Sequence, residues 1–269
     1  MKNLFLFLFL LVVFTSKAQD NRVSGLNSRQ FTKYWKVESE SPDYKVTFQG
    51  DTAEIVSPKG LTLWRKEKMS GKVTIEYDAC VVVESDGDRL SDLNCFWMAS
   101  DPQYPDNLWK REKWRSGIFL NCYSLQLYYL GYGGNHNSTT RFRRYDGDES
   151  GITNPKARPA ILKEYTDAGH LLKPNHWYHI KITNENNRVS YYIDGERLVD
   201  FRDAEPLREG WFGFRTTLSR TRITNFSYEC SSQEATAVPL QWIGETPRQD
   251  KVVSFGVPFD KGEVFPENK

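Results

Sequence analysis

Long apolar runs, excess charge, metal-ligand clusters and helical periodicity are all missing from this 269-residue chain, and each absence closes off a class of protein. The longest apolar run, residues 4–14, is too short to cross a bilayer as a permanent helix. Lys and Arg number 36 against 35 Asp and Glu, so no nucleic-acid partner is held by overall charge. The four cysteines, Cys80, Cys95, Cys122 and Cys230, match no zinc spacing. Each lies in an apolar, strand-like run and reads as a buried thiol, with one disulfide left open as an alternative. There is no nucleophile elbow and no local Cys-His signature. Gly131, Gly133 and Gly134 lack the Lys-Ser/Thr and the helix that a phosphate loop needs.

What is present begins with a leader. Residues 1–18 carry a positive start at Lys2, the apolar run, and a small-residue end at Ser16-Lys17-Ala18. This is the pattern of a secretory signal peptide, and it predicts a secreted or periplasmic protein without a membrane anchor. Its removal takes away Lys2 and Lys17, so 36 basic residues become 34 against 35 acidic ones. Aromatic residues make up 14% of the chain, a share that suits pleated sheets and also the flat faces of sugars.

Alternating runs recur from residue 34 to residue 230, as in KVTIEYDACVVV (72–83), where Val73, Ile75, Tyr77 and Ala79 share a face. Asp194-Gly195 is a hairpin signal. Eleven or more short strands and no predicted helix give an all-β, two-sheet antiparallel jelly-roll sandwich over residues 21–230. Pro58 and Gly60 divide one run in two, TAEIVS and LTLWRK. The turn 84–92 offers Asp86, Asp88 and Asp92 as calcium ligands, but without the full acidic pattern a solvated turn is the simpler reading. Residues 231–237 form a polar linker, and 238–269 open a second β-rich module that the chain does not complete.

Candidate chemistry concentrates in residues 123–145, YSLQLYYLGYGGNHNSTTRFRRY. Arg141, Arg143 and Arg144 form the densest positive cluster in a neutral chain, and a guanidinium fork meets a carboxylate with two hydrogen bonds. Strand alternation puts Arg141 and Arg143 on one face, and Phe142 and Arg144 on the other. Tyr128 and Tyr129 likewise point oppositely, one to the core and one to a groove. β-Elimination in a uronic-acid glycan requires neutralisation of the carboxylate and a Tyr or His base. Tyr129, His136 and Arg143 are the catalytic candidates on that reading. Asn94, Trp97, Tyr128, Asn135, Arg141, Arg144 and Arg215 are candidates for holding the sugar. Arg215 stands out because it alternates with apolar Phe214 on a presumed central strand, where it needs a partner or a ligand. Trp109 and Trp114, in the long connection after residue 99, are candidates for a groove wall. The plainer alternative makes His136 a turn residue and the arginines a solvated face.

The run from Asn187 to Tyr228, with LNCFWMASDP and LGYGGNHNSTTRFRRY, resembles the laminin-G/concanavalin-like glucanase superfamily, and within it an uncharacterised bacterial domain family. The resemblance covers residues 34–228 and implies a concave sandwich. It does not imply an activity, because the superfamily holds lectins, hydrolases and lyases. The paired-Glu strand of its glucanases is absent here, which counts against a retaining hydrolase. LQWIGETP and VSFGVPFDKGEVFP are similar to the start of the exo-acting rhamnogalacturonan lyase family and imply a plant polysaccharide of the pectic type as partner. Three readings follow: a lyase-type enzyme, a non-catalytic carbohydrate-binding module, or an accessory domain of a larger protein. No cofactor is required by any of them.

Overall fold

The computed structural model describes residues 22–231. The expected signal peptide, and the linker and tail from residue 232 onward, lie outside the described residues. Fourteen strands run in chain order: β1 Val23–Ser24, β2 Trp35–Ser39, β3 Lys45–Gln49, β4 Thr52–Arg65, β5 Met69–Ser70, β6 Lys72–Val81, β7 Leu93–Ser100, β8 Gln126–Gly133, β9 Thr139–Asp146, β10 Lys163–Tyr165, β11 Tyr178–Glu185, β12 Arg188–Ile193, β13 Glu196–Arg202 and β14 Glu209–Ser231. All pairings between them are antiparallel. The all-β jelly-roll expectation is met.

Two long strands turn the corner between the layers. The first half of β14 pairs with β7 and with the second half of β4. Its second half pairs with β6 and with the first half of β4. One sheet therefore runs β2-β4-β14-β7-β8-β9-β10 and the other β3-β4-β14-β6-β11-β12-β13. The corner lies where Leu218 takes a left-handed φ of 50° and the register shifts between Thr217 and Ser219. Bulges bend strands in this way at sandwich corners. Pro58 and Gly60 therefore do not end a strand, contrary to the sequence expectation. They sit in the bend of one continuous β4.

The core fills the space between the sheets. Tyr77 and Ile75 of one sheet face Phe212, Phe214 and Trp97 of the other, with Tyr77 and Phe214 ring centroids 4.9 Å apart. A fully buried ring of this kind contributes about 1.5–3 kcal/mol. The four cysteines are free thiols, three of them buried. Burial pushes the Cys95 thiol up to about 12.

The connection after β7 is not irregular. It holds short helical turns at Leu108–Arg111, Glu112–Arg115 and Leu120–Ser124, so the expectation of no helix fails there. Their side chains form a second apolar cluster on the outer face of the first sheet, with Trp64, Phe96, Leu108, Cys122, Leu127, Tyr145 and Trp211. Buried charges fasten it. Arg115 donates to Glu38 at 3.0 Å and to the Leu108 carbonyl at 2.6 Å. Asp101 accepts from Arg111 at 2.7 and 2.8 Å. Burial pushes the Glu38 carboxyl up, against the opposing pull of Arg115.

Candidate functional site

What the connection leaves uncovered on that outer face is a groove of about 480 Å³. Its floor follows from strand register. Side chains in one cross-strand row project from the same face. The row Glu38, Thr62, Arg215, Asn94, Gly131, Arg141, Glu164 crosses seven strands, each residue paired with the next. The neighbouring row is Lys36, Trp64, Gly213, Phe96, Tyr129, Arg143. The first row is polar and part of it opens to the groove. The second row is apolar in its middle, and the connection covers it there.

Gly131 makes the two rows interlock. A Cβ at this position would lie 2.3 Å from Tyr129 Oη. The Tyr129 ring therefore folds along its own strand and sets its hydroxyl in the polar row, in the space a side chain at 131 would take. That hydroxyl makes no hydrogen bond among the described residues. Burial pushes the phenol well above its ordinary range; Asp92 adds to this, while Arg215 and Arg143 oppose it. Burial thus favours the protonated, hydrogen-bond-donating form of the phenol.

Five arginines line the groove: Arg89, Arg141, Arg143, Arg158 and Arg215. Arg89 pairs with Asp92 at 2.6 Å and Arg141 with Glu164 at 2.5 Å. The other three have no carboxylate within salt-bridge distance among the described residues. Arg215, only 3% exposed, donates from Nη1 to the Gly117 carbonyl at 2.5 Å and to Thr62 at 3.3 Å, and lies over the Phe119 ring. Arg143 donates to the Pro159 carbonyl. Arg158 donates to the Gly151 carbonyl at 3.3 Å and lies over Tyr123. Glu40 and Asp92 are the lining carboxylates, so lining positive charge exceeds negative by three. Asn94, 6% exposed, donates to Asp92 at 3.2 Å, while its Oδ1 is enclosed without a partner.

The rim is the turn Gly134–Asn137, where Asn135, His136 and Asn137 all take left-handed φ between 52° and 59°. Asn and His tolerate that region better than most residues. Asn137 fixes the turn through paired bonds to the Leu172 backbone, at 2.8 and 2.9 Å. Asn135 reaches Thr139 at 3.1 Å. His136 projects exposed at the groove edge.

Of the residues expected at a site, Asn94, Tyr129, Asn135, His136, Arg141, Arg143 and Arg215 line this one groove. Three do not. Trp97 and Tyr128 are fully buried between the sheets, because alternation turns them to the face opposite Phe96 and Tyr129. Arg144 shares their face and spans the sheet edge, donating to Asp203 at 2.7 Å. Tyr128 Oη donates to the same carboxylate at 2.6 Å, so Arg144 and Tyr128 are structural. Trp109 and Trp114 do not wall the groove either. Trp109 packs on Trp211 and Trp114 projects outward beside Arg111. The wall is Phe119, Leu120 and Tyr123. Sequence reasoning also missed Arg158, which lies in a segment without period. Asp88 caps its own turn and Asp92 is held by Arg89. Among the described residues no group of three His, Cys, Asp or Glu is placed to hold a metal.

Residues 55–226, well over half of the chain, match a family model described as a domain of unknown function, DUF6250. The chain belongs to the DUF6250 family. This DUF6250 member has no match among curated proteins. Its fold is similar to that of a Bacillus subtilis protein of unknown function with a galectin-like fold, at 15% identity and a TM-score of 0.59, over 75% of this chain and 91% of that one. It is also similar to the exoplasmic/lumenal domain of VIP36, solved in a Ca2+/Man3GlcNAc-bound form, at 8% identity and a TM-score of 0.52, over 81% and 92% of the two chains. At these identities the likeness shows the fold: an antiparallel sandwich of galectin-like type.

Proposed function

We propose that this protein is an exported carbohydrate-binding domain whose groove holds an acidic, uronate-containing glycan of the pectic type. The carrying observation is that Arg143, Arg158 and Arg215 converge on one groove without carboxylate partners, beside the Tyr129 hydroxyl and the rings of Phe119 and Tyr123. In a chain of near-zero net charge, three unpaired guanidiniums in one recess favour an anionic ligand. Hydroxyl, amide and carboxylate groups beside them suit the remaining sugar oxygens. The fold likeness to VIP36, solved with an oligosaccharide, and the leader-like first residues support the same reading.

Affinity electrophoresis against polygalacturonate, rhamnogalacturonan, galactan and arabinan tests it. Retention by the acidic polymers, lost in Arg143→Ala, is expected. Equal migration on all four would remove the proposal.

A second reading, β-elimination, rests on Tyr129, His136 and Arg143 sharing the groove. Because burial keeps the Tyr129 phenol protonated, His136 would take the proton and Tyr129 would donate. Ultraviolet absorbance of an unsaturated uronide, abolished by His136→Ala, distinguishes cleavage from binding.

A further inference from the structure

We infer that the two ends of the groove read different sugars: a uronate at the β9 end, and an uncharged, hydroxyl-bearing sugar at the β2 end. This rests on the carbohydrate reading above and narrows the ligand to a chain in which the two kinds alternate. The groove crosses the sheet from Glu40, just past β2, to Arg141 and Arg143 on β9. In the strand order β2-β4-β14-β7-β8-β9 that is five interstrand steps, on the order of 24 Å at the backbone. Neighbouring sugars of one chain therefore meet different ends.

Unbalanced positive charge sits at the β9 end. Arg143 and Arg158 donate to backbone carbonyls, those of Pro159 and Gly151, and neither has a carboxylate within salt-bridge distance among the described residues. Only Arg141 is balanced there, by Glu164. At the β2 end the unbalanced charge is negative. Glu40 is exposed and lines the groove, with no cation within salt-bridge distance among the described residues. Its N–H donates to the Gly60 carbonyl at 2.8 Å, and its Oε2 accepts from the Gly60 N–H at 3.2 Å, which holds the carboxylate at this end. A Cβ at Gly60 would lie 2.5 Å from Arg215 Nη2 and 3.0 Å from Glu40 Oε2, so Glu40 faces Arg215 and offsets it from the β2 side. Asp92 is the second carboxylate, and Arg89 balances it while tying it to the Thr217 carbonyl. A carboxylate accepts hydrogen bonds from sugar hydroxyls and repels another carboxylate. Consecutive uronates set one of their charges against Glu40, whereas a neutral sugar in that place donates to it.

Titration calorimetry at one ionic strength tests the inference with two hexasaccharides: hexagalacturonate, and a rhamnogalacturonan oligomer in which galacturonate alternates with neutral rhamnose. The native protein should bind the alternating oligomer more tightly. Glu40→Gln keeps an acceptor for the Gly60 N–H and removes the charge. It should strengthen binding of hexagalacturonate roughly fivefold and leave the alternating oligomer unimproved. Hexagalacturonate bound as tightly as the alternating oligomer by the native protein, or a Glu40→Gln effect equal for the two, would overturn the two-ended groove and leave the carbohydrate reading intact. Binding of neither oligomer would overturn both.

Discussion

Arg143 and Asp203 carry charges of opposite use. Arg143 is half-buried and its only hydrogen-bond partner among the described residues is a carbonyl, so Arg143→Ala removes a charged hydrogen bond to ligand and little else. A loss of about 1.5–3 kcal/mol in binding is expected, roughly tenfold or more in Kd, with an unchanged melting temperature. Asp203, buried, accepts from both Tyr128 and Arg144. Asp203→Ala should cost about 3 kcal/mol of stability in urea titration, because it leaves buried donors unpaired, and should leave sugar affinity alone. Gly131→Ala separates the site from the scaffold in a third way. Its methyl group would displace the Tyr129 hydroxyl, so calorimetry should register weaker binding from a protein that still melts cooperatively.

These residues also mark how far the sequence is legible. Alternation alone assigned Arg141 and Arg143 to one face and Phe142 and Arg144 to the other, and the apolar neighbours of Arg215 singled it out. Alternation could not say which face was covered, so Trp97, Tyr128 and Arg144 were expected at a site they do not reach. Glu38, Phe119, Tyr123 and Arg158 were out of reach for a different reason. Their roles depend on where long connections lie, and no period records that.

At the scale of elements, the corner of β14 stores a local cost. Leu218 is 54% exposed at a φ of 50°, in a left-handed region that costs an ordinary residue about 1–2 kcal/mol. Leu218→Asn should raise stability by about 1 kcal/mol, and the melting temperature by about 2–4 °C for a domain of this size. The connection Leu108–Ser124 is held on the sheet by Arg115. Arg115→Ala should therefore weaken sugar binding in calorimetry, although Arg115 does not line the groove, and should destabilise by about 3–5 kcal/mol.

For the whole molecule, stability should fall on acidification. Burial alone would raise the Glu54 and Glu67 carboxyls. Hydrogen bonds from Arg220 and Arg222 to Glu54, and from Tyr228 and Arg65 to Glu67, outweigh it and hold both below the ordinary carboxylate range. A carboxylate with a depressed pKa stabilises the fold above its unfolded pKa, and that contribution disappears as pH falls through the folded value. Denaturant midpoints should therefore hold steady toward neutral pH and drop in acid, and Glu54→Gln should flatten the drop.

The central claim is that the groove reads a carboxylate. Its most direct test is calorimetric titration with trigalacturonate and, separately, with its fully methyl-esterified form at the same ionic strength. The acid should bind and weaken as salt is raised, while the ester, identical apart from its charge and methyl groups, should give no measurable binding. Equal binding of the two, or binding indifferent to salt, would contradict the account.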